Sequence, residues 1–292
     1  MPFEAAYRQF LQSIRQNSRL RMAPTPSGFL HLGNAYNFIL TWLAARYQPG
    51  AKLLLRIDDL DADRKRPEYV QDIFDTLQWL GLDWDEGPTT ADDFEENWSQ
   101  HRRMSMYLKM LEELRSGNWL FACGKSRREL ALFQGNYPIE FRDQGLSLDS
   151  PDVAWRIKTL RSETDIPPDF VVKRRDGVPA YQIASLADDL HLGITHIVRG
   201  EDLRSSTAAQ QFLAKCLARE KFAAIHFLHH PLLVDATGAK LSKSAGATTI
   251  KTLSRQDLTP ARIYQDMAVW LGIAQGGVQS ATDLLAVLKT TA

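Results

Sequence analysis

The sequence predicts an α/β fold, interrupted by an antiparallel insertion and finished by helices. Three observations carry this expectation. A strand, loop, helix and strand follow one another between residues 20 and 58. Short strands and a hairpin turn replace that rhythm between about 120 and 185, and it returns at 194.

Taken in order, residues 3–16 place Phe3, Tyr7, Phe10, Leu11 and Ile14 at helical spacing, which predicts a packed N-terminal helix. A short strand follows over Leu20–Ala23. The stretch from Asn34 to Tyr47 repeats apolar residues at Phe38, Ile39, Trp42, Leu43 and Ala45, the pattern of a helix with one buried face. Gly50 closes it, and AKLLLRID (51–58) reads as a compact apolar strand. Two strands joined through a helix are expected to lie parallel. Helices are expected over 67–80 and 98–116.

In the insertion, VAWRIK (153–158) and DFVVKR (169–174) read as strands. Arg175-Asp176-Gly177 is a hairpin turn, and a further strand is expected through PAYQIA. Strand ITHIVRG (194–200), helix 205–219 and strand HFLHHPLLV (226–234) resume the α/β pattern. Beyond Lys251 the chain reads as helical, with Thr259-Pro260 as an N-cap and first-turn pair. No internal repeat or low-complexity tract is present.

The 292 residues suffice for a full core, and for two lobes rather than one. Lys plus Arg equals Asp plus Glu at 35 each, so total charge gives no sign of a polyanion partner. A local basic face balanced elsewhere stays possible on that count. Two cysteines, Cys123 and Cys216, cannot build a disulfide framework, which makes a reducing compartment the expectation. The N-terminus has no apolar signal region, and no stretch approaches the roughly 20 apolar residues of a membrane span. A cytoplasmic protein with no membrane partner is expected.

Two stretches carry chemistry. RMAPTPSGFLHLGN (21–34) joins the first strand to its helix, at the carboxyl end of a parallel strand where open α/β sheets bind ligands. A helix N-terminus offers N–H groups and partial positive charge to a phosphate. Gly28 and Gly33 admit a ligand to the backbone, and His31 is a candidate donor. The glycine spacing is not that of a dinucleotide fingerprint. A plain connecting turn remains an alternative for this loop alone. GAKLSKS (238–244) follows the strand at 226–234. Its Lys240, Ser242 and Lys243 suit polyphosphate, and their charge can follow a pyrophosphate leaving group. Alone, KLSKS would more often be a solvated loop.

Together the two stretches resemble the paired signatures of class I aminoacyl-tRNA synthetases, here His31-Leu32-Gly33-Asn34 and Lys240-Leu241-Ser242-Lys243-Ser244. RMAPTPSGFLHLGNA, LRIDDLDADR, LQWLGLDWDEGP and ITHIVRGEDL are similar to motifs of the glutamyl branch, and the likeness covers residues 19–275. Full-length glutamyl enzymes continue into a large anticodon-binding region, for which this sequence offers no counterpart. A core of that kind with AYQIA in its second half resembles the synthetases that load glutamate onto queuosine of tRNA(Asp).

That resemblance implies a Rossmann-like class I catalytic core over 1–110 and 186–250, an inserted α+β acceptor-type subdomain over 111–185, and a helical C-terminal segment over 251–292. It implies ATP with Mg²⁺, L-glutamate, a queuosine-containing tRNA(Asp) and a monomer. The implied catalytic residues are His31, Gly33, Lys240 and Lys243. The amino-acid site would use Arg21, Ala23, Pro24, Thr25, Ser27, Asp58, Tyr181 and Arg199. ATP would meet His31, Asn34, Lys240, Ser242 and Lys243.

The sequence departs from the family twice. Asp58 stands where the family usually has glutamate, which draws the carboxylate back by about one methylene and opens its ammonium contact to loss, a water bridge or sharing with Asp59. Family members often hold zinc through Cys-x-Cys, a Tyr and a further Cys. Here Cys123 and Tyr137 match, but Lys125 and Phe141 do not, so no metal is expected and Phe141 should pack in its place. Cys216 is expected on the apolar face of its helix. His229 and His230 should point to opposite faces of a strand, not to one ion. Two other readings stay open: a glutamyl-adenylate-forming enzyme with a different acceptor, including a tRNA 3′ end, and a weakly active RNA- or nucleotide-binding regulator.

Overall fold

The computed structural model describes residues 3–133, 137–160, 165–233, 249–273 and 276–290. In chain order the first elements are α1 (Phe3–Ser13), β1 (Arg19–Met22), α2 (Leu32–Tyr47), β2 (Lys52–Leu55), α3 (Pro67–Leu80) and the single turn α4 (Ala91–Asp93). Then come α5 (Met104–Ser116), β3 (Leu120–Cys123), α6 (Arg127–Ala131), β4 (Ala154–Ile157), β5 (Val171–Lys173) and α7 (Tyr181–His191). The series ends with β6 (His196–Gly200), α8 (Arg204–Cys216), α9 (Glu220–Ala223), β7 (His226–His230), α10 (Ile250–Ser254), α11 (Pro260–Trp270) and α12 (Ala281–Thr290). They form two compact units: Met1–Ser99 with Ile194–Asp202 and Ile225–Ala292, and Gln100–Gly193 with Leu203–Ala224.

The first unit holds a four-stranded sheet in the order β2-β1-β6-β7, every neighbouring pair parallel. The strand–helix–strand unit read from sequence is therefore present as β1-α2-β2. One difference concerns α2, which is buried along almost its whole circumference from Ala35 to Ala45, not on one face. It lies against the sheet on one side, and α12 covers another. The Tyr7 hydroxyl of α1 also donates to the Leu40 carbonyl at 2.8 Å. An apolar helix enclosed this way is the centre of the core rather than its lid.

Gly87 shows why this sheet edge needs a particular residue. Its φ is +111°, and a Cβ there would lie 2.2 Å from the Leu55 carbonyl oxygen. Only glycine tolerates both conditions without backbone movement.

In the second unit β3, β4 and β5 form an antiparallel sheet, with Leu120 opposite Ile157 and Cys123 opposite Ala154. The turn at 175–177 is present, with Gly177 at φ +86°. The strand expected through PAYQIA is not. Pro179 makes one antiparallel bridge to Lys173, and the Ala180 N–H donates to the Val172 carbonyl. From Tyr181 onward the chain is helical. Ile183, Leu186 and Ala187 supply the buried helical face, and the fully buried Asp188 fixes it. The Asp188 carboxylate accepts from Gln100 Nε2 at 2.9 Å, Arg103 Nε at 2.7 Å and the Tyr107 hydroxyl at 2.8 Å. A buried carboxylate needs such partners, and only a helix brings Asp188 to them.

The helix expected over 98–116 begins as α5 only at Met104, after a π turn (Phe94–Trp98) and a 3₁₀ turn (Gln100–Arg103). Thr259 and Pro260 cap and start α11 as the sequence indicates. Among the described residues no helix is long and apolar enough to cross a membrane.

Candidate active site

Strand alternation separates the two faces of the parallel sheet. Leu20, Met22, Leu53, Leu55 and Val198 belong to the apolar core on the α2 side. Arg21 therefore points to the opposite face, in register with Leu54. Leu20 pairs with His196, so Ile197 aligns with Arg21 and Arg199 lies two residues further along the same face. Arg21 is 4% exposed and Arg199 2%, deep burial for two guanidinium groups. The Arg199 guanidinium lies 5.2 Å from the centre of the Phe227 ring.

Beyond β2 the chain stays alongside β1. The Arg56 N–H donates to the Met22 carbonyl and the Asp58 N–H to the Pro24 carbonyl, both at 2.9 Å. Ile57 between them turns into the core, so Arg56 and Asp58 share the Arg21 face. Arg56 Nε donates to Asp58 Oδ1 at 2.6 Å and Nη2 to Oδ2 at 3.0 Å, with both residues buried. The neighbouring Asp59 is engaged elsewhere, accepting from Lys65 Nζ at 3.0 Å and the Ser99 hydroxyl at 2.7 Å.

The loop from Ala23 to Leu30 delivers the chain to α2. Within it the Ser27 N–H donates to the Thr25 carbonyl at 2.8 Å, a tight turn beside Pro24 and Pro26. His31 is the N-cap of α2. Its Nδ1 accepts the Gly33 N–H at 3.1 Å, and Asn34 Oδ1 accepts the His31 N–H at 3.1 Å. This reciprocal pairing satisfies two of the orphan donors of a helix start. With Nδ1 an acceptor, the neutral ring carries its proton on Nε2. The result is a ring donor beside a helix N-terminus.

Asp72 of α3 accepts the Leu30 N–H at 2.8 Å, and the Ile250 N–H of α10 donates to the Leu30 carbonyl at 2.8 Å. Thr249 makes an antiparallel bridge to His31 itself. Phe29 meets Tyr69 edge-on at 5.0 Å and carries the Lys251 ammonium 4.9 Å above its ring. The loop is thus held by two helices distant in sequence.

Lys240, Ser242 and Lys243 lie outside the described residues. Tyr181 begins α7 in the second unit and is 39% exposed. His229 and His230 do diverge. His230 is buried with Nδ1 against the Pro231 carbonyl at 2.8 Å and Nε2 3.2 Å from Asn37 Nδ2, whereas His229 is half-buried and stacked on Phe227. A donating Nδ1 leaves Nε2 as the acceptor for Asn37.

The donor set in the insertion does not fit a zinc ion. The Tyr137 hydroxyl donates to Cys123 Sγ at 3.1 Å, and Phe141 packs against both. The Lys125 ammonium sits 5.2 Å over the Phe141 ring, and Arg156 lies 4.3 Å over the Tyr137 ring. One thiol, one phenol and two cations are not a four-ligand site. Cys123 is fully buried as a small apolar residue, while Cys216 is half-buried at the end of α8.

Arg56 and Asp72 escaped the sequence reading. Arg56 carried a signal, since opposite charges two residues apart in an extended segment share a face. Asp72 did too, as a charge on the apolar side of α3 between Val70 and Ile73.

A parallel sheet with a histidine-capped helix after its first strand, and buried arginines toward the strand ends, defines an α/β domain of the class that binds ligands at the carboxyl ends of its strands. The chain belongs to the family described as tRNA synthetases class I (E and Q), catalytic domain, which it matches over residues 17–136 and 143–287. It therefore has the class I catalytic core and is a ligase of that type, a class that uses ATP.

Its relatives narrow the branch. The chain is 41% identical to the glutamyl-Q tRNA(Asp) synthetase of Parasynechococcus marenigrum, covering 91% of this chain and 88% of that protein. It is 36% identical to the glutamyl-Q tRNA(Asp) synthetase of Nitratidesulfovibrio vulgaris, covering 93% and 92%. A glutamate–tRNA ligase 2 of Gluconobacter oxydans is 35% identical over 86% of this chain but only 60% of its own length. In structure the chain resembles the glutamate–tRNA synthetase of Elizabethkingia anophelis, with a TM-score of 0.74 at 23% identity over 92% of this chain and 65% of that one.

Proposed function

We propose that the protein activates L-glutamate with ATP, without needing tRNA for that step, and transfers the glutamyl group to the queuosine base in the anticodon of tRNA(Asp). The observation that carries this reading is the buried Arg21 and Arg199 sharing one sheet face with Asp58. With Arg56 paired to Asp58, Arg21 and Arg199 are the cations for two substrate carboxylates and Asp58 is the anion for an ammonium. The named relatives support the choice of glutamate and of the queuosine acceptor.

In this reading Arg21 pairs with the side-chain carboxylate, for which a guanidinium fork is well shaped. Asp58 meets the α-ammonium, Arg199 completes the site, and Ala23, Pro24, Thr25 and Ser27 line it. The glutamate α-carboxylate attacks the α-phosphorus of ATP, and pyrophosphate leaves. His31 Nε2–H, the positive dipole end of α2 at Gly33 and Asn34, and Lys240, Ser242 and Lys243 stabilise charge on the phosphates. Mg²⁺ enters with ATP as its counter-ion. A hydroxyl of the queuosine base then attacks the adenylate carbonyl, forming the ester and releasing AMP. RNA loops present unstacked bases that a cleft can hold by shape and edge contacts.

The reading divides the chain into a catalytic part over 1–110 and 186–250, an acceptor-type insertion over 111–185 and a helical segment over 251–292. It describes a cytoplasmic monomer with no zinc. Glutamate-dependent exchange of pyrophosphate into ATP, measured without tRNA, tests it. Exchange with glutamate supports activation, and no exchange with any amino acid removes the enzyme reading in favour of an RNA- or nucleotide-binding regulator.

A further inference from the structure

We propose that Arg56 is a positioning residue of the amino-acid site: its guanidinium fork holds the Asp58 carboxylate in the orientation that receives the substrate ammonium. This rests on the reading of Asp58 given under Proposed function.

The geometry is specific. Both Asp58 oxygens are bound by one guanidinium, at 2.6 and 3.0 Å, and the two side chains are 2% and 5% exposed. Their backbones are tied to the loop strand through Met22 and Pro24. A single contact would leave the carboxylate able to rotate, whereas a two-point fork fixes its plane. An ionised carboxylate offers about four acceptor directions, and the fork occupies one on each oxygen. Asp59 is held separately, by Lys65 and Ser99.

The pairing also explains how a short acid serves here. Asp58 has one fewer methylene with which to seek a ligand, and a carboxylate that cannot reach must instead be placed. A lysine at position 56 would keep the charge but lose the planar fork.

The test compares Arg56→Lys and Arg56→Gln with the unaltered protein in glutamate-dependent ATP–pyrophosphate exchange, alongside thermal unfolding. Arg56→Lys is expected to raise the KM for glutamate by about tenfold, the loss of one charge-assisted contact. The KM for ATP and kcat should stay within about threefold and the unfolding midpoint close to the unaltered value. Arg56→Gln should raise the glutamate KM further, and the lysine variant is the partial rescue. If Arg56→Gln does not fold, Arg56→Lys decides alone. An unchanged glutamate KM in Arg56→Lys overturns the proposal. So does a parallel rise in both KM values with a lowered midpoint, which is the mark of a purely structural ion pair. Absence of exchange in the unaltered protein removes the functional reading, and this assignment with it. Exchange in the unaltered protein with either of the preceding outcomes removes only the role of Arg56.

Discussion

Thr249 is bridged to His31 in antiparallel register, so the residue directly after the segment 234–248 is fixed to the N-cap of α2. Residues about two hundred positions apart in the sequence thus meet at the start of α2. His31 has two tasks in this arrangement, capping a helix and presenting Nε2–H, and substitutions separate them.

His31→Asn is expected to keep the helix start, because asparagine is among the best N-caps, while removing the ring donor. His31→Ala should lose both, with a stability cost of about 1 kcal/mol for the cap. Denaturant unfolding with ATP–pyrophosphate exchange checks this. Activity should fall in both variants, and stability only in the alanine one.

Asp72 anchors the Leu30 N–H from α3. Asp72→Ala leaves that buried donor unsatisfied, at a cost of about 1–3 kcal/mol. Asp72→Asn preserves an acceptor and should cost less. Because the loop it holds leads into His31, the KM for ATP should rise more in Asp72→Ala than in Asp72→Asn. Equal kinetics in the two variants would remove the loop-anchoring account.

Arg21→Gln is expected to raise the KM for glutamate by roughly 10- to 100-fold, the worth of a hydrogen bond to a charged group, with the KM for ATP nearly unchanged. Steady-state exchange at varied glutamate and then varied ATP separates the two. A rise confined to ATP contradicts the placement of glutamate at Arg21.

His196 supplies a pH test away from the site. Burial, with the neighbouring His226 stacked 4.7 Å away, pushes it down to about 4 from an ordinary value of 6.5. Unfolding raises its proton affinity, so its contribution to stability is complete above about pH 6.5 and is lost as pH falls toward 4. Unfolding midpoints between pH 7 and 4 should fall less steeply in His196→Phe than in the unaltered protein.

Much of this was legible in the sequence, for physical reasons that can be named. The β1-α2-β2 unit shows itself through its apolar period and its prolines and glycines. Arg21, Asp58 and Arg199 were singled out by their motifs, and alternation along parallel strands accounts for their shared face. The helix at Tyr181 was misread because a hairpin turn immediately precedes it, and the residue that decides for helix, Asp188, is held by partners 81–88 residues away. Strand Leu120–Cys123 was missed because all four residues are buried, so it lacks the alternation that marks a half-exposed strand. Arg56 went unnoticed as the partner of Asp58 because the backbone bonds to Met22 and Pro24 that set both side chains on one buried face join segments about 34 residues apart.

The acceptor is the central claim, and one measurement reaches it most directly. Labelled glutamate is offered with ATP and Mg²⁺ to tRNA(Asp) carrying queuosine and to the same tRNA lacking it. Label is expected only in the queuosine-containing tRNA, attached within the anticodon. Equal label in both, carried at the 3′ end, would contradict the account and make the protein an ordinary tRNA-charging enzyme.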